Sequence, residues 1–66
     1  MTFAENLVSL RTGKNISQKD LAKKIGISLH AYQRFEYGEQ EPRMSVLVAL
    51  ADYYGLSLDE LVCRER

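Results

Sequence analysis

A chain of 66 residues is long enough for one domain, and folding at that length buries only about 60% of the surface of the extended chain, which disfavours an enzyme with a deep pocket. An apolar share of 45%, a charged share of 27%, one Pro and four Gly exclude a disordered or low-complexity segment. Nine basic and nine acidic side chains cancel, so any nucleic-acid footprint has to lie in their distribution: residues 1–43 carry seven basic and five acidic groups (+2), residues 44–66 two and four (−2).

Phe3, Leu7 and Leu10 recur at helical spacing and predict a first helix over about 2–12, ended by Gly13 and Asn15, both tolerant of left-handed backbone. Ser17 is an N-cap residue with Asp20 three positions on, an approximate capping box. The helix it opens turns Leu21, Ala22 and Ile25 inward and Lys19, Lys23 and Lys24 outward, and stops at Gly26. Ser28 caps a third helix from Leu29 to about Tyr37, with Tyr32 and Phe35 inward and Gly38 as its stop. Residues 39–43 form a polar loop, through which Pro42 forbids a helix. Met44, Leu47, Val48, Leu50, Ala51 and Tyr54 predict the inner face of a fourth helix ending at Gly55. Ser57 and Glu60 form a full capping box for a short fifth helix, with Leu58 and Leu61 inward. No alternating strand pattern and no internal repeat appear. The expected fold is all-α: five helices about one core in a single domain over 1–66.

The pattern offers little catalytic chemistry. His30 is the only histidine and lies far from the only cysteine, Cys63. No Gly-rich phosphate loop follows a strand, and no residues have metal-ligand spacing. No enzyme activity, metal, cofactor or small-molecule ligand is expected. A lone cysteine permits no internal disulfide and suits a reducing compartment. Glu5 and Asn6 stand where a secretory leader needs an apolar run, and the longest apolar run, 46–51, is too short to span a membrane. A cytoplasmic location follows as the expectation.

The informative stretch is 18–37. Two short helices flank Gly26-Ile27-Ser28, and so short a turn forces a steep crossing, about 90–120° in a helix-turn-helix. The crossing needs a small residue at the contact, which Ala22 supplies. The turn needs positive φ, which Gly26 supplies. Leu21, Ile25, Ile27, Tyr32 and Phe35 hold the angle. An ordinary helical hairpin also needs glycine and apolar residues, but the number of matches at fixed offsets favours the more specific motif.

The segments F-A-E-N-L-V-S-L-R (3–11), I-S-Q-K-D-L-A-K-K-I-G-I-S (16–28), F-E-Y-G (35–38) and L-S-L-D-E-L (56–61) resemble the Cro/repressor-type helix-turn-helix regulators, the xenobiotic-response-element family. The likeness covers nearly the whole chain. It implies a compact, five-helix lambda-repressor-like DNA-binding domain whose third helix reads the major groove. The expected function is a sequence-specific double-stranded-DNA-binding transcriptional regulator, a repressor. By position, Leu29, His30, Gln33 and Arg34 match base-facing sites. Gln18, Lys19, Ser28, Tyr37 and Arg43 match the phosphate-facing set, and Arg11 and Glu36 match an ion pair joining the first helix to the end of the third.

Each base-facing candidate keeps a second reading. Arg34 fits a guanine fork, or a phosphate contact, or solvent. Gln33 fits adenine, or solvent. Leu29 fits a thymine methyl, or another partner surface, and a lone exposed His30 is often incidental. Lys19, Lys23 and Lys24 read more readily as a solvated helix face than as phosphate clamps. Two departures from the family pattern stand out: Glu39 and Glu41 occupy a loop where relatives often carry Lys or Arg, and Tyr32 and Phe35 are bulkier than the usual aliphatics, which predicts a slightly tilted third helix.

A single module of this kind buries about 600–1,000 Å² on DNA, so two copies are expected on a palindromic site. Tyr53, Leu56, Val62 and Cys63 are the apolar candidates for the homodimer contact, in the acidic part of the chain; Tyr54 is assigned to the core. The zero net charge sustains one alternative: a helix-turn-helix protein-interaction module with little affinity for DNA.

Overall fold

The structure is a computed structural model and describes residues 2–62. Five helices follow in order: α1 (Phe3–Gly13), α2 (Gln18–Ile25), α3 (Leu29–Glu36), α4 (Met44–Tyr54) and α5 (Leu58–Leu61), with no strand among the described residues.

Four of the five helices begin under a hydroxyl. Thr2 accepts from the Glu5 backbone N–H at 3.1 Å, and Glu5 Oε1 accepts from the Thr2 backbone N–H at 2.8 Å. This reciprocal box makes Thr2 the cap of α1 rather than its first residue. Ser57 and Glu60 form the same box at α5. Ser17 and Ser28 cap α2 and α3 one way only, accepting from the Asp20 and Ala31 N–H groups. Each such cap contributes about 1 kcal/mol.

The helix ends are also set locally. Gly13 was expected to leave the helix, but it is the last residue of α1, and only Asn15 takes the left-handed conformation, with φ +55°. Gly26 (φ +80°) closes α2, and its left-handed turn returns the Ile27 N–H to the Ala22 carbonyl at 3.0 Å. α3 ends at Glu36, one residue earlier than expected, with Tyr37 as its cap.

The core draws on every helix: Leu7 from α1, Leu21 and Ala22 from α2, Tyr32 and Phe35 from α3, Leu50 and Ala51 from α4, Leu61 from α5. A fully buried leucine contributes about 1.5–3 kcal/mol relative to an exposed one. α2 packs against α3 and α4, while α1 bridges α3 and α5. Asn6 Nδ2 donates to the Leu61 carbonyl at 2.8 Å and ties α1 to the end of α5, satisfying a carbonyl that a helix terminus leaves without a partner.

Three expectations about the core fail. Met44 is 63% exposed, and Val48 is also exposed. At about 100° per residue, Val48 lies about 200° around α4 from the buried Leu50, so the two cannot share an inner face. Val46, on the other flank, packs on the core instead. Leu58 is exposed because it is the first residue of a one-turn helix whose cap holds the chain at the surface; Leu61 alone carries the inward contact.

Candidate nucleic-acid interface

The Ser17 and Ser28 caps and the Gly26 turn fix where α2 and α3 begin and how they cross. α3 turns Tyr32, Phe35 and Glu36 into the protein. The remaining positions form an outward face: Leu29, His30 and Arg34 are exposed, Gln33 is half-buried at the edge toward α2, and Tyr37 is 61% exposed at the end. Lys19 and Ser28 are exposed nearby on α2 and in the turn, and Arg43 is exposed at the head of α4, where it makes no side-chain cap bond. The Arg34 guanidinium donates to Gln40 Oε1 at 3.3 Å, so the polar loop after α3 holds this arginine along the helix. Glu39 and Glu41 stay exposed in that loop.

Behind the face lies a polar cluster spanning three helices. Arg11 Nε donates to Glu36 Oε2 at 2.6 Å and Arg11 Nη2 to Oε1 at 3.3 Å, with side-chain exposures of 16% for Arg11 and 2% for Glu36. Arg11 Nη1 also donates to the Ile16 carbonyl at 3.0 Å. Tyr32 donates its hydroxyl to Glu36 Oε2 at 2.5 Å, and Gln18 Nε2 donates to Oε1 at 2.9 Å. Gln33 Nε2 in turn donates to Gln18 Oε1 at 3.2 Å. Burial alone would raise the Glu36 carboxyl; the hydrogen bonds from Arg11, then Tyr32, then Gln18 outweigh it and hold the group below the usual carboxylate range. Burial, then the neighbouring carboxylate, pushes the Tyr32 phenol well up, so the pair stays a donor and an anion.

The geometry therefore brings together Arg11, Glu36, Gln18 and Gln33, drawn from both the expected ion pair and the expected DNA face. Gln33, read as either base-facing or solvated, is half-buried and spends one N–H on Gln18. The Tyr32 hydroxyl was missed as a polar partner; its i, i+4 spacing to Glu36 on one helix is the signal that finds it. Gln40 as the partner of Arg34 had no such signal, because the loop after Gly38 has no period.

The expected subunit-contact residues lie elsewhere. Tyr53, expected on the outer face, is half-buried: its ring meets Tyr54 edge-on at 5.0 Å, and the Lys14 ammonium sits 5.2 Å from its centroid. Tyr54 is half-buried too; its hydroxyl is buried without a partner among the described residues and is pushed up to about 12, first by that burial and then by Tyr53. Leu56 and Val62 are half-buried, and Cys63 lies outside the described residues.

A family profile described as helix-turn-helix matches residues 7–61. The chain belongs to the helix-turn-helix family. It is 42% identical over 64 residues to the cryptic phage CTXphi transcriptional repressor RstR of Vibrio cholerae, covering 97% of this chain and 57% of that protein. It is 37% identical over 65 residues to the transcriptional activator BcrR of Enterococcus faecalis, covering 98% of this chain and 32% of that one. The chain thus spans a third to somewhat over half of the length of these relatives. Among solved structures, it superposes on the P22 c2 repressor in complex with a synthetic operator with a TM-score of 0.90 at 29% identity, covering 98% of each chain. A transcriptional regulator from Listeria innocua gives 0.93 at 31% identity, over 98% of this chain and 61% of that one. This helix-turn-helix chain is of the Cro/repressor type, as its motifs implied.

Proposed function

We propose that this domain is a sequence-specific double-stranded-DNA-binding transcriptional regulator that inserts α3 into the major groove. The observation that carries the reading is the outward face of α3, supported by the likeness, over 98% of both chains, to a repressor in complex with operator DNA. Leu29, His30, Gln33 and Arg34 are assigned to base edges: an arginine fork matches guanine O6 and N7, and a glutamine amide matches adenine N6 and N7. Lys19, Ser28, Tyr37 and Arg43 are assigned to phosphates. Gln18 adds the backbone N–H at the head of α2, where helix geometry leaves amides open to an anion. The regulated direction is repression, as for RstR. A DNA-binding role assigns the domain to the cytoplasm.

The domain acts as a homodimer on a palindromic operator. One module offers a small contact and no net charge to strengthen it. Leu56, Val62 and the edge of Tyr53 are assigned to the contact, with exposed Leu58 extending it and Cys63 following in sequence. The test is selection from a random duplex pool, followed by binding over a salt series. Inverted half-sites about one helical turn apart, 34–36 Å, and a steep fall in affinity with salt are expected. Arg34→Ala should weaken the selected duplex by about 1–3 kcal/mol and relax one base pair. No enrichment of any sequence, with binding indifferent to salt, would overturn the reading; a monomer binding one half-site at full affinity would overturn the dimer.

A further inference from the structure

Glu36 accepts four hydrogen bonds, two at each oxygen: Arg11 Nε and the Tyr32 hydroxyl at Oε2, Arg11 Nη2 and Gln18 Nε2 at Oε1. An ionised carboxylate has about four acceptor sites and no donor, so the group is saturated and can only receive. That dictates how Gln18 stands. Its NH₂ must face Glu36, and its carbonyl must therefore face away. The outward carbonyl is an acceptor only, and Gln33 meets it with its own NH₂. A glutamine amide is ordinarily free to face either way; here the choice is imposed at Glu36 and passed along two side chains. Gln33 is left, at the edge of the outer face of α3, with its second N–H and its carbonyl oxygen.

We propose that Glu36 and Gln18 are positioning residues which, through this one-directional chain of amides, hold Gln33 in the orientation that reads adenine. This rests on the reading of α3 as the DNA-reading helix. Adenine presents an N7 acceptor beside an N6 donor, which the remaining N–H and carbonyl of Gln33 match together. Guanine presents two acceptors and leaves the carbonyl opposed. A phosphate, also acceptor-only, uses the N–H and repels the carbonyl. The network thus makes Gln33 selective without adding a contact to DNA, and it does so from a buried acid.

The experiment uses the full chain and its selected duplexes. The parent is expected to enrich adenine at one position of each half-site and to prefer it over guanine by about tenfold or more. Replacing that adenine by 7-deazaadenine, which lacks the N7 acceptor, should remove most of the preference. Gln33→Ala should do the same. Gln18→Ala should reduce the preference at that same position to within about twofold, with a salt dependence near the parent's and a lower melting temperature from the hydrogen bond lost at Glu36, measured where both proteins are folded, and the double variant should lose nothing further in preference. Retained adenine preference in Gln18→Ala would overturn the proposal. So would equal weakening on all duplexes with a salt slope smaller by about one, which marks a lost phosphate contact. A parent that enriches no sequence sinks the DNA-reading function itself; a parent that enriches sites independent of Gln33 sinks only the amide chain.

Discussion

Where α1, α2 and α3 meet, a polar network is added to the shared apolar core; where α5 meets α1 and α4, the helices are joined mostly by apolar side chains. At the first junction Arg11, Gln18, Tyr32, Gln33 and Glu36 form one continuous set of hydrogen bonds. At the second, Leu50, Ala51 and Leu61 pack beside Leu7, and the Tyr54 hydroxyl has no partner among the described residues. Apolar contact is non-directional and tolerates small slides. A saturated carboxylate fixes distances and angles. The junction that aims α3 is the directional one, and the junction that only supports it is not.

The comparison is broken most severely by removing one member of the ion pair. Arg11→Met strands a carboxylate whose side chain is 2% exposed, and should cost about 3–5 kcal/mol, a large part of what a domain this size has. Urea denaturation at neutral pH measures it. The same acid gives the polar junction a pH dependence. Because Glu36 titrates lower when folded than its ordinary value of 4.5, its contribution is complete above that value and is lost as pH falls through the depressed one. The parent should lose stability on that descent. Glu36→Gln, weaker at neutral pH, should lose less on the way down, and parallel curves for the two proteins would contradict the assignment.

On the apolar side, Leu61→Ala should cost about 2–5 kcal/mol by transfer and cavity terms, with no change in the acid limb. A sharper comparison makes one chemical change in both places. Tyr32→Phe removes a hydrogen bond to a charged group and should destabilise by about 1.5–3 kcal/mol. Tyr54→Phe removes a buried hydroxyl without a partner and should leave stability unchanged or raise it by about 1 kcal/mol. Thermal melting of the two variants reads the difference in sign directly.

The elements set by local chemistry were legible in the sequence. Ser17, Ser28 and Ser57 announce helix starts because a cap needs only a hydroxyl and the next three residues, and Gly26 announces a turn because its backbone requires positive φ. Side-chain burial was less legible. Met44 and Val48 look equivalent to Leu47 and Leu50 by composition; helical period shows that Val48 and Leu50 cannot share one face, and the packing of α4 against α2 decides which of the two faces is buried. Of the candidate site, the outward placement of Leu29, His30 and Arg34 follows from helical period alone. The bond from Gln33 to Gln18 does not: the two are 15 residues apart on different helices, and whether they touch depends on a crossing angle that spacing does not encode.

The cap on α3 has a consequence for how folding and binding are separated. Ser28 accepts from the Ala31 N–H through a lone pair of its hydroxyl oxygen, and the exposed side chain keeps its own O–H as a donor. To the helix, an aspartate there is as good as a serine. To an approaching anion the two are opposites, one a donor and the other a like charge. Under the phosphate assignment proposed above, Ser28→Asp should keep the cap and weaken duplex binding, so the choice between serine and aspartate at this position would be set by the interface and not by the helix.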